Sequence, residues 1–275
     1  RSPLHPRACD STLGPAVGML MDRRLCRTGP ERVIKQSILL LAENSRCVGC
    51  EVRERGVCAT LDVGQIGDME SAVSVKRLSE GQLLMLEGDP SDHVANVTRG
   101  RLKVYKSLPD GRTQLLRVLR PGDFIGAPFR DRTACTVAAI TECELCILPR
   151  KELERLFERH REIEHAVMRQ LEDELAEAQS RILTLGRKTA MERVAGFLVD
   201  EQEHARTCGE QADRLILPLG RAEIGDLLGL TIETVSRCMT RLKKAGIIAL
   251  EGGKSERVSV LDTGRLQDLA GVQAY

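Results

Sequence analysis

The sequence predicts an α+β protein: an antiparallel β-roll, then one long helix, then a winged helix-turn-helix. Three observations predict it. From about Val73 to Pro149, short apolar runs are separated by glycine-bearing turns such as Glu87-Gly88-Asp89-Pro90, Asp110-Gly111 and Pro121-Gly122-Asp123, the spacing of a compact roll or barrel. From about Lys151 to Leu185 glycine and proline vanish while Glu, Arg, Leu and Ala dominate. After Arg221, two short helical patterns meet at a tight turn and are followed by a hairpin-like stretch.

At 275 residues the chain exceeds one average domain. Residues 1–30, rich in Pro, Gly and Arg, read as a mobile tail in which Met19 and Met21 are alternative starts; residues 31–72 form an N-terminal cysteine-rich segment. The roll covers 73–150, the long helix 151–187 and the winged helix-turn-helix 188–275. No stretch reaches the roughly 18 apolar residues that span a bilayer, and Ser37-Ile38-Leu39-Leu40-Leu41-Ala42 is too short for a signal peptide. A soluble, cytoplasmic protein without a membrane partner is expected. The net charge is only +1, so affinity for a polyanion must come from a local basic patch. With no Trp, two Tyr and four Phe, the chain lacks the aromatic platforms that single-strand recognition uses.

Within the roll, Arg101-Leu102-Lys103-Val104 alternates as a strand with one buried face does. In the long helix, Met168, Leu171, Leu175, Ala178, Ile182 and Leu185 follow 3,4,3,4,3 spacing, the seam of a two-stranded coiled coil. A homodimer is the expectation. A stripe packing only on its own domain is the alternative.

The carboxy-terminal third predicts a helix over about Thr189 to Glu203, then two short helices within 221–230 and 231–246. Gly229 can supply the turn, Thr231 is a good N-cap, and Gly246 is a C-terminal stop. On the second helix Ile232, Val235, Met239 and Leu242 are expected to point inward, leaving Glu233, Ser236, Arg237, Thr240 and Arg241 outward. An exposed Arg can be bidentate to guanine, Glu can accept from cytosine, and Ser adapts, so this face has major-groove chemistry. Arg241, Lys243 and Lys244 add phosphate contacts. Residues 249–258 read as the wing. Double-stranded DNA is the expected partner.

Ten cysteines without a secretory signal point to metal or redox chemistry before disulfides. Cys47, Cys50 and Cys58 form C-x2-C-x7-C, with Cys146, Cys143 and Cys135 as possible fourth ligands. Three local thiolates and one distant match a [4Fe-4S] cluster. Zinc, a thiol switch and unliganded cysteines stay open, although a second nearby C-x2-C, usual for zinc, is missing. Cys9, Cys26, Cys208 and Cys238 read as isolated and inert.

The order of parts resembles the Crp/Fnr regulators, specifically the Fnr type of oxygen-responsive iron-sulfur activators. The resemblance runs from Cys47 to the end, and is sharpest in the cysteine triplet and in Gly229-Leu230-Thr231-Ile232-Glu233-Thr234-Val235-Ser236-Arg237, with its Glu-x-x-Ser-Arg pattern. It implies that residues 31–72 are a cluster-binding segment and that the roll is a sensory, cyclic-nucleotide-binding-like domain. It further implies that Cys146 is the fourth ligand, that 151–187 is the dimerisation helix, and that Glu233, Ser236 and Arg237 read a TTGAT-N4-ATCAA-like palindrome. RNA polymerase is then an implied partner. The x7 spacer resembles the rhizobial branch where the enteric form has x5. Loss of the cluster in oxygen is expected to free the helices, although Ala178, small and apolar, puts nothing acidic in the way of a residual dimer.

Rival functions have less support. A cyclic-nucleotide-dependent activator needs a Glu for the ribose, whereas Ala127 follows Gly126; Arg132-Thr133 is only a partial phosphate signature. No cyclic nucleotide is expected. A haem sensor would need a ligand such as His93, and a lone His is more often a surface or satisfied residue. Neither a Walker loop nor GxGxxG is present, and no nucleophile is paired with a base, so the chain reads as no enzyme.

Overall fold

The computed structural model describes residues 45–251 and 257–271. The expected tail, residues 31–44 and the wing tip at 252–256 lie outside them. After the turns that carry Cys47 and Cys50 comes a 3-10 turn, Gly56–Thr60, and then helix α1, Val63–Ala72, started by a capping box between Asp62 and Gln65. Neither was foreseen.

The roll has eight strands: β1 Ser74–Leu78, β2 Leu83–Met85, β3 His93–Arg99, β4 Leu102–Ser107, β5 Thr113–Leu119, β6 Phe124–Ile125, β7 Thr136–Ala139 and β8 Cys143–Pro149. They form two antiparallel sheets in the orders β1-β8-β3-β6 and β2-β7-β4-β5. Leu78, Val97, Leu102, Leu119 and Leu145 fill the space between them. Strand alternation gives β3 and β8 a second apolar face. Ala95, Val97 and Leu145 pack inside the roll, whereas Val94 and Leu148 pack outward under Val57, Met69, Leu153 and Val167.

The single helix expected over 151–187 is two. Helix α2, Arg150–Arg159, and helix α3, Arg161–Arg187, are separated at His160, whose backbone is extended (φ −136°, ψ 95°). The His160 ring Nε2 lies 2.7 Å from an Asp68 carboxylate oxygen, tying the corner to α1. The bend lets Leu153 and Leu156 enter the same core as Ile163 and Val167, which a straight helix leaving the roll could not do. Helix α3 has 27 residues, about 40 Å.

The last domain begins with α4, Ala190–Thr207, opened by a Thr189–Glu192 capping box. Strand β9, Arg214–Ile216, helices α5, Arg221–Leu228, and α6, Ile232–Lys244, strands β10, Ile248–Glu251, and β11, Arg257–Val260, and helix α7, Thr263–Ala270, follow. The wing hairpin β10–β11 gains β9 as a third antiparallel strand. Leu198, Leu219, Ile224, Met239, Leu242 and Ile247 are among the largest fully buried side chains of this domain's core. This domain docks on the roll. Leu115 of β5 is buried in its core, and Arg101 and Arg120 both donate to the buried carboxylate of Glu201, at 2.7 and 2.5 Å. Lys103 pairs with Glu223 at 2.5 Å. No helix among the described residues is long and apolar enough to cross a membrane.

Candidate functional site

Two arrangements carry chemistry: a thiol cluster on the outer face of the roll and an exposed helix at the far end. The thiols come from two places. Arg53 shapes their loop by donating to the carbonyl oxygens of Cys58 (2.9 Å) and Leu61 (3.1 Å). Cys146 sits on β8 directly opposite Asn96 of β3, and both alternate outward with Val94 and Leu148.

Cys47, Cys50, Cys58 and Cys146 are near enough to feel one another's charge. Burial first, then the thiolates of Cys47 and Cys50, pushes the Cys58 thiol up to about 11. Burial, then Cys47, Cys58 and Cys50, pushes Cys146 up to about 12. Cys47 is raised by burial, Glu70 and Cys50. Cys47, Cys58 and Cys146, half-buried thiols that resist ionisation, are with Cys50 beside them a good donor set for a cationic centre, which holds thiolates deprotonated.

The two other cysteines weighed for the fourth place are not brought to this group. Cys143 is buried inside the roll, its Sγ donating to the carbonyls of Arg101 and Thr141, both at 3.2 Å. Cys135 faces Lys106, Glu87 and Glu174.

Among the described residues no three His, Cys, Asp or Glu side chains already stand as a metal-ion site. A single zinc ion would require thiolates converging to about 2.3 Å. A four-iron cluster takes one thiolate on each iron, so its ligands need not converge on a single ion. The Asn96 Oδ1 is buried without a partner beside Cys146, a polar atom that a group held there could satisfy through either end of the amide.

The helix pair is built as its sequence predicts. Gly229 takes φ +62°, which favours glycine, and closes α5 in the left-handed conformation. Gly225 is the unforeseen part: a Cβ there would stand 2.6 Å from the Leu230 carbonyl oxygen, so only glycine permits so tight a turn. Thr231 caps α6, its hydroxyl accepting from the Thr234 N–H at 3.3 Å.

Val235, Met239 and Leu242 are buried. Ile232 is not: it is 46 % exposed, because the first residue of α6 precedes the turn that meets the core, and Cys238 takes an inward place instead. Glu233, Arg237, Thr240 and Arg241 are exposed, with Lys243 and Lys244, and Ser236 is half-buried. The Thr231 hydroxyl holds the Glu233 carboxyl below its usual range, so it is ionised beside Arg237. Arg237 Nε donates to the Glu233 carbonyl (3.3 Å), leaving the guanidinium's terminal donors directed outward.

On α3, Met168 (48 % exposed), Leu175 (58 %), Ala178 and Ile182 (72 %) form an apolar stripe open to solvent. Leu171 and Leu185 are half-buried on their own protomer, Leu171 against the core beneath the cysteine turns. Arg193 fixes the end of α3 by donating to the carbonyls of Leu185 (2.5 Å) and Lys188 (2.9 Å), and to that of Leu228 at the end of α5 (2.9 Å).

The roll contains a cavity of about 310 Å³, walled mainly by apolar side chains that include Phe124, Ile125 and Leu171, with Arg117 bound to Glu174 of α3 at 3.0 Å. Ala127 lies in its wall. Arg132 donates instead to the Gly88 carbonyl (2.6 Å), and Thr133 to that of Leu86 (2.5 Å). His93 departs from the expectation of a satisfied or surface residue, for its Nε2 is buried without a partner. Cys208 is not isolated either, lying 3.6 Å from His204 Nε2 and 3.7 Å from Arg55 Nη1.

A family model described as a cyclic nucleotide-binding domain matches residues 75–160, and one described as a Crp-like helix-turn-helix domain matches 192–269. The chain is similar to a "Probable transcriptional activator" of Rhizobium leguminosarum bv. viciae, 38 % identical over 205 residues, covering 74 % of this chain and 85 % of the relative. It is 36 % identical over 230 residues to "Transcriptional activator protein FnrL" of Cereibacter sphaeroides, covering 82 % and 92 %. Among solved structures it resembles FixK2 from Bradyrhizobium japonicum at 31 % identity with a TM-score of 0.67, covering 74 % of this chain and 99 % of that one.

Proposed function

The chain belongs to the Crp/Fnr family of DNA-binding transcription regulators, and from that premise we propose that it is the oxygen-responsive kind, holding a [4Fe-4S] cluster on Cys47, Cys50, Cys58 and Cys146. The observation that carries this reading is the gathering of those four thiols against the root of α3. When bound, such a cluster supplies an oxygen-labile cross-link between the amino-terminal turns and strand β8.

The chain's own residues do the rest. The turn holding Cys58 rests on α3, where Arg169 donates to the Thr60 hydroxyl at 3.3 Å. Holding the thiolates therefore holds that turn against the helix whose exposed stripe, Met168 to Ile182, faces a second copy. Pairing places two α6 helices about 34 Å apart, one turn of DNA. Glu233, Ser236 and Arg237 read base edges of a TTGAT-N4-ATCAA-like palindrome, with Thr231 and Arg241 at their flanks and Lys243 and Lys244 on phosphates. The regulator acts in the cytoplasm, activating chiefly low-oxygen genes together with RNA polymerase.

A cyclic nucleotide is not the expected effector, because Arg132 and Thr133 are already engaged by backbone carbonyls and Arg117 by Glu174. The test is fluorescence anisotropy with the palindrome at one fixed salt concentration, on protein kept from air and then exposed to it. The reading expects tight, sequence-specific binding that weakens at least tenfold in air. Equal affinity in both states would reject oxygen as the signal.

A further inference from the structure

The seven residues between Cys50 and Cys58 do more than separate two thiols. Gly56 (φ +62°) and the roll's Gly122 (φ +103°) meet backbone to backbone: a Cβ on Gly56 would stand 2.2 Å from the Gly122 carbonyl oxygen, and one on Gly122 would stand 2.8 Å from the Cβ of Arg55. The loop is thus keyed into the turn between β5 and β6. From that position Arg55 reaches the last turn of α4, its Nη2 3.5 Å from the Thr207 carbonyl oxygen and its Nη1 3.7 Å from Cys208 Sγ. A guanidinium at a helix C-terminus meets the negative end of the helix dipole and carbonyls that lack an intrahelical donor.

The same roll turn grips α4 a second time. The backbone N–H of Arg120 is held by Asp123 at 2.8 Å while its guanidinium donates to the buried Glu201. Helix α4 in turn packs on α6 and α7, so its placement sets that of the DNA-reading face.

We propose that the Cys50–Cys58 loop braces the DNA-binding domain directly, within one protomer, with Arg55 as the positioning residue that holds the end of α4. This route runs beside the one through α3 and does not require a change in pairing. That ligation of the thiols governs the brace rests on the reading above; the brace itself does not.

The test uses the full chain, prepared without air, as wild type, Arg55→Ala and Arg55→Lys. Arg55 is only half-buried in a surface loop, so the fold should survive either change. Amide hydrogen exchange is followed at residues 204–209, dimer affinity by sedimentation, and the cluster by its visible band. In Arg55→Ala exchange at these amides should rise roughly tenfold, about 1.4 kcal/mol, with palindrome affinity reduced and dimer affinity unchanged. Arg55→Lys, which keeps the charge, should restore most of the protection. Unchanged exchange in Arg55→Ala would overturn the brace, as would loss of protection only in step with loss of the dimer. The visible band separates the two claims. A colourless protein showing the Arg55 effect keeps the brace and rejects the cluster, and a coloured one without it does the reverse.

Discussion

Removing the carboxylate of Glu201 should be among the most damaging single changes in the chain. Its side chain is 3 % exposed and accepts from two guanidiniums, Arg101 at 2.7 Å and Arg120 at 2.5 Å, that are themselves 18 % and 27 % exposed. Glu201→Ala leaves two largely buried cations without their ion-pair partner. Breaking such a pair from one side costs about 3–5 kcal/mol, because the remaining charges keep their desolvation penalty. Glu201→Gln keeps the shape and one acceptor but turns charge-assisted bonds into neutral ones, so its cost should be nearer 1–2 kcal/mol. Urea unfolding, monitored by exchange at Leu102, Leu119 and Leu198 so that roll and carboxy-terminal domain are seen separately, measures both. A double-mutant cycle with Arg101→Met should recover much of the loss, since one uncompensated charge is then gone. If Glu201→Ala costs under 1 kcal/mol, the triad does not join the domains and the docked arrangement is not what stabilises the chain.

Arg237→Ala should weaken palindrome binding by about 1–3 kcal/mol per half-site and relax preference at one base pair, whereas Lys243→Ala should weaken all sequences alike and reduce the salt slope by about 1 per protomer; anisotropy on a set of single-base variants separates the two. Ile182→Glu should raise the dimer dissociation constant at least a hundredfold, since two apolar side chains at about 1.5 kcal/mol each are lost by symmetry, and sedimentation equilibrium reads it. His204 is held down to about 4, first by burial and then by the charges of Arg120 and Arg101, so it stays neutral when folded and gains a proton on unfolding. Its contribution is present above pH 6.5 and is lost as pH falls toward 4; unfolding free energy measured across that window should drop in the wild type and drop less in His204→Gln.

Much of this was legible because periodicity and turn chemistry are local. The glycine-punctuated runs gave the roll, and Gly229 with Thr231 gave the helix pair. The seam spacing located the open face of α3, although it could not tell that Leu171 and Leu185 lie partly against their own protomer. The break at His160 left no trace in composition, since His is tolerated within helices and the bend is set by tertiary packing against α1. Ile232 was misplaced because the 3.6-residue pattern was extended one step before the turn that buries it. Strand β9 is three residues long and offers no alternation to read. Spacing alone could not choose between Cys143 and Cys146. Strand pairing separates them, because residues three apart on a strand face opposite sides of the sheet, Cys143 into the roll and Cys146 out toward the other thiols. The contacts of Arg55 with α4 join residues more than 150 positions apart, which no motif encodes.

The most direct test of the central claim is the ultraviolet-visible spectrum, with iron and sulfide analysis, of protein purified without air, repeated for Cys58→Ser, Cys146→Ser and Cys143→Ser. The account predicts a broad visible band that bleaches in air, is absent in the first two variants and is retained in the third, with about four irons and four sulfides per chain. A colourless wild-type protein containing zinc, or a band that survives Cys146→Ser, would contradict it.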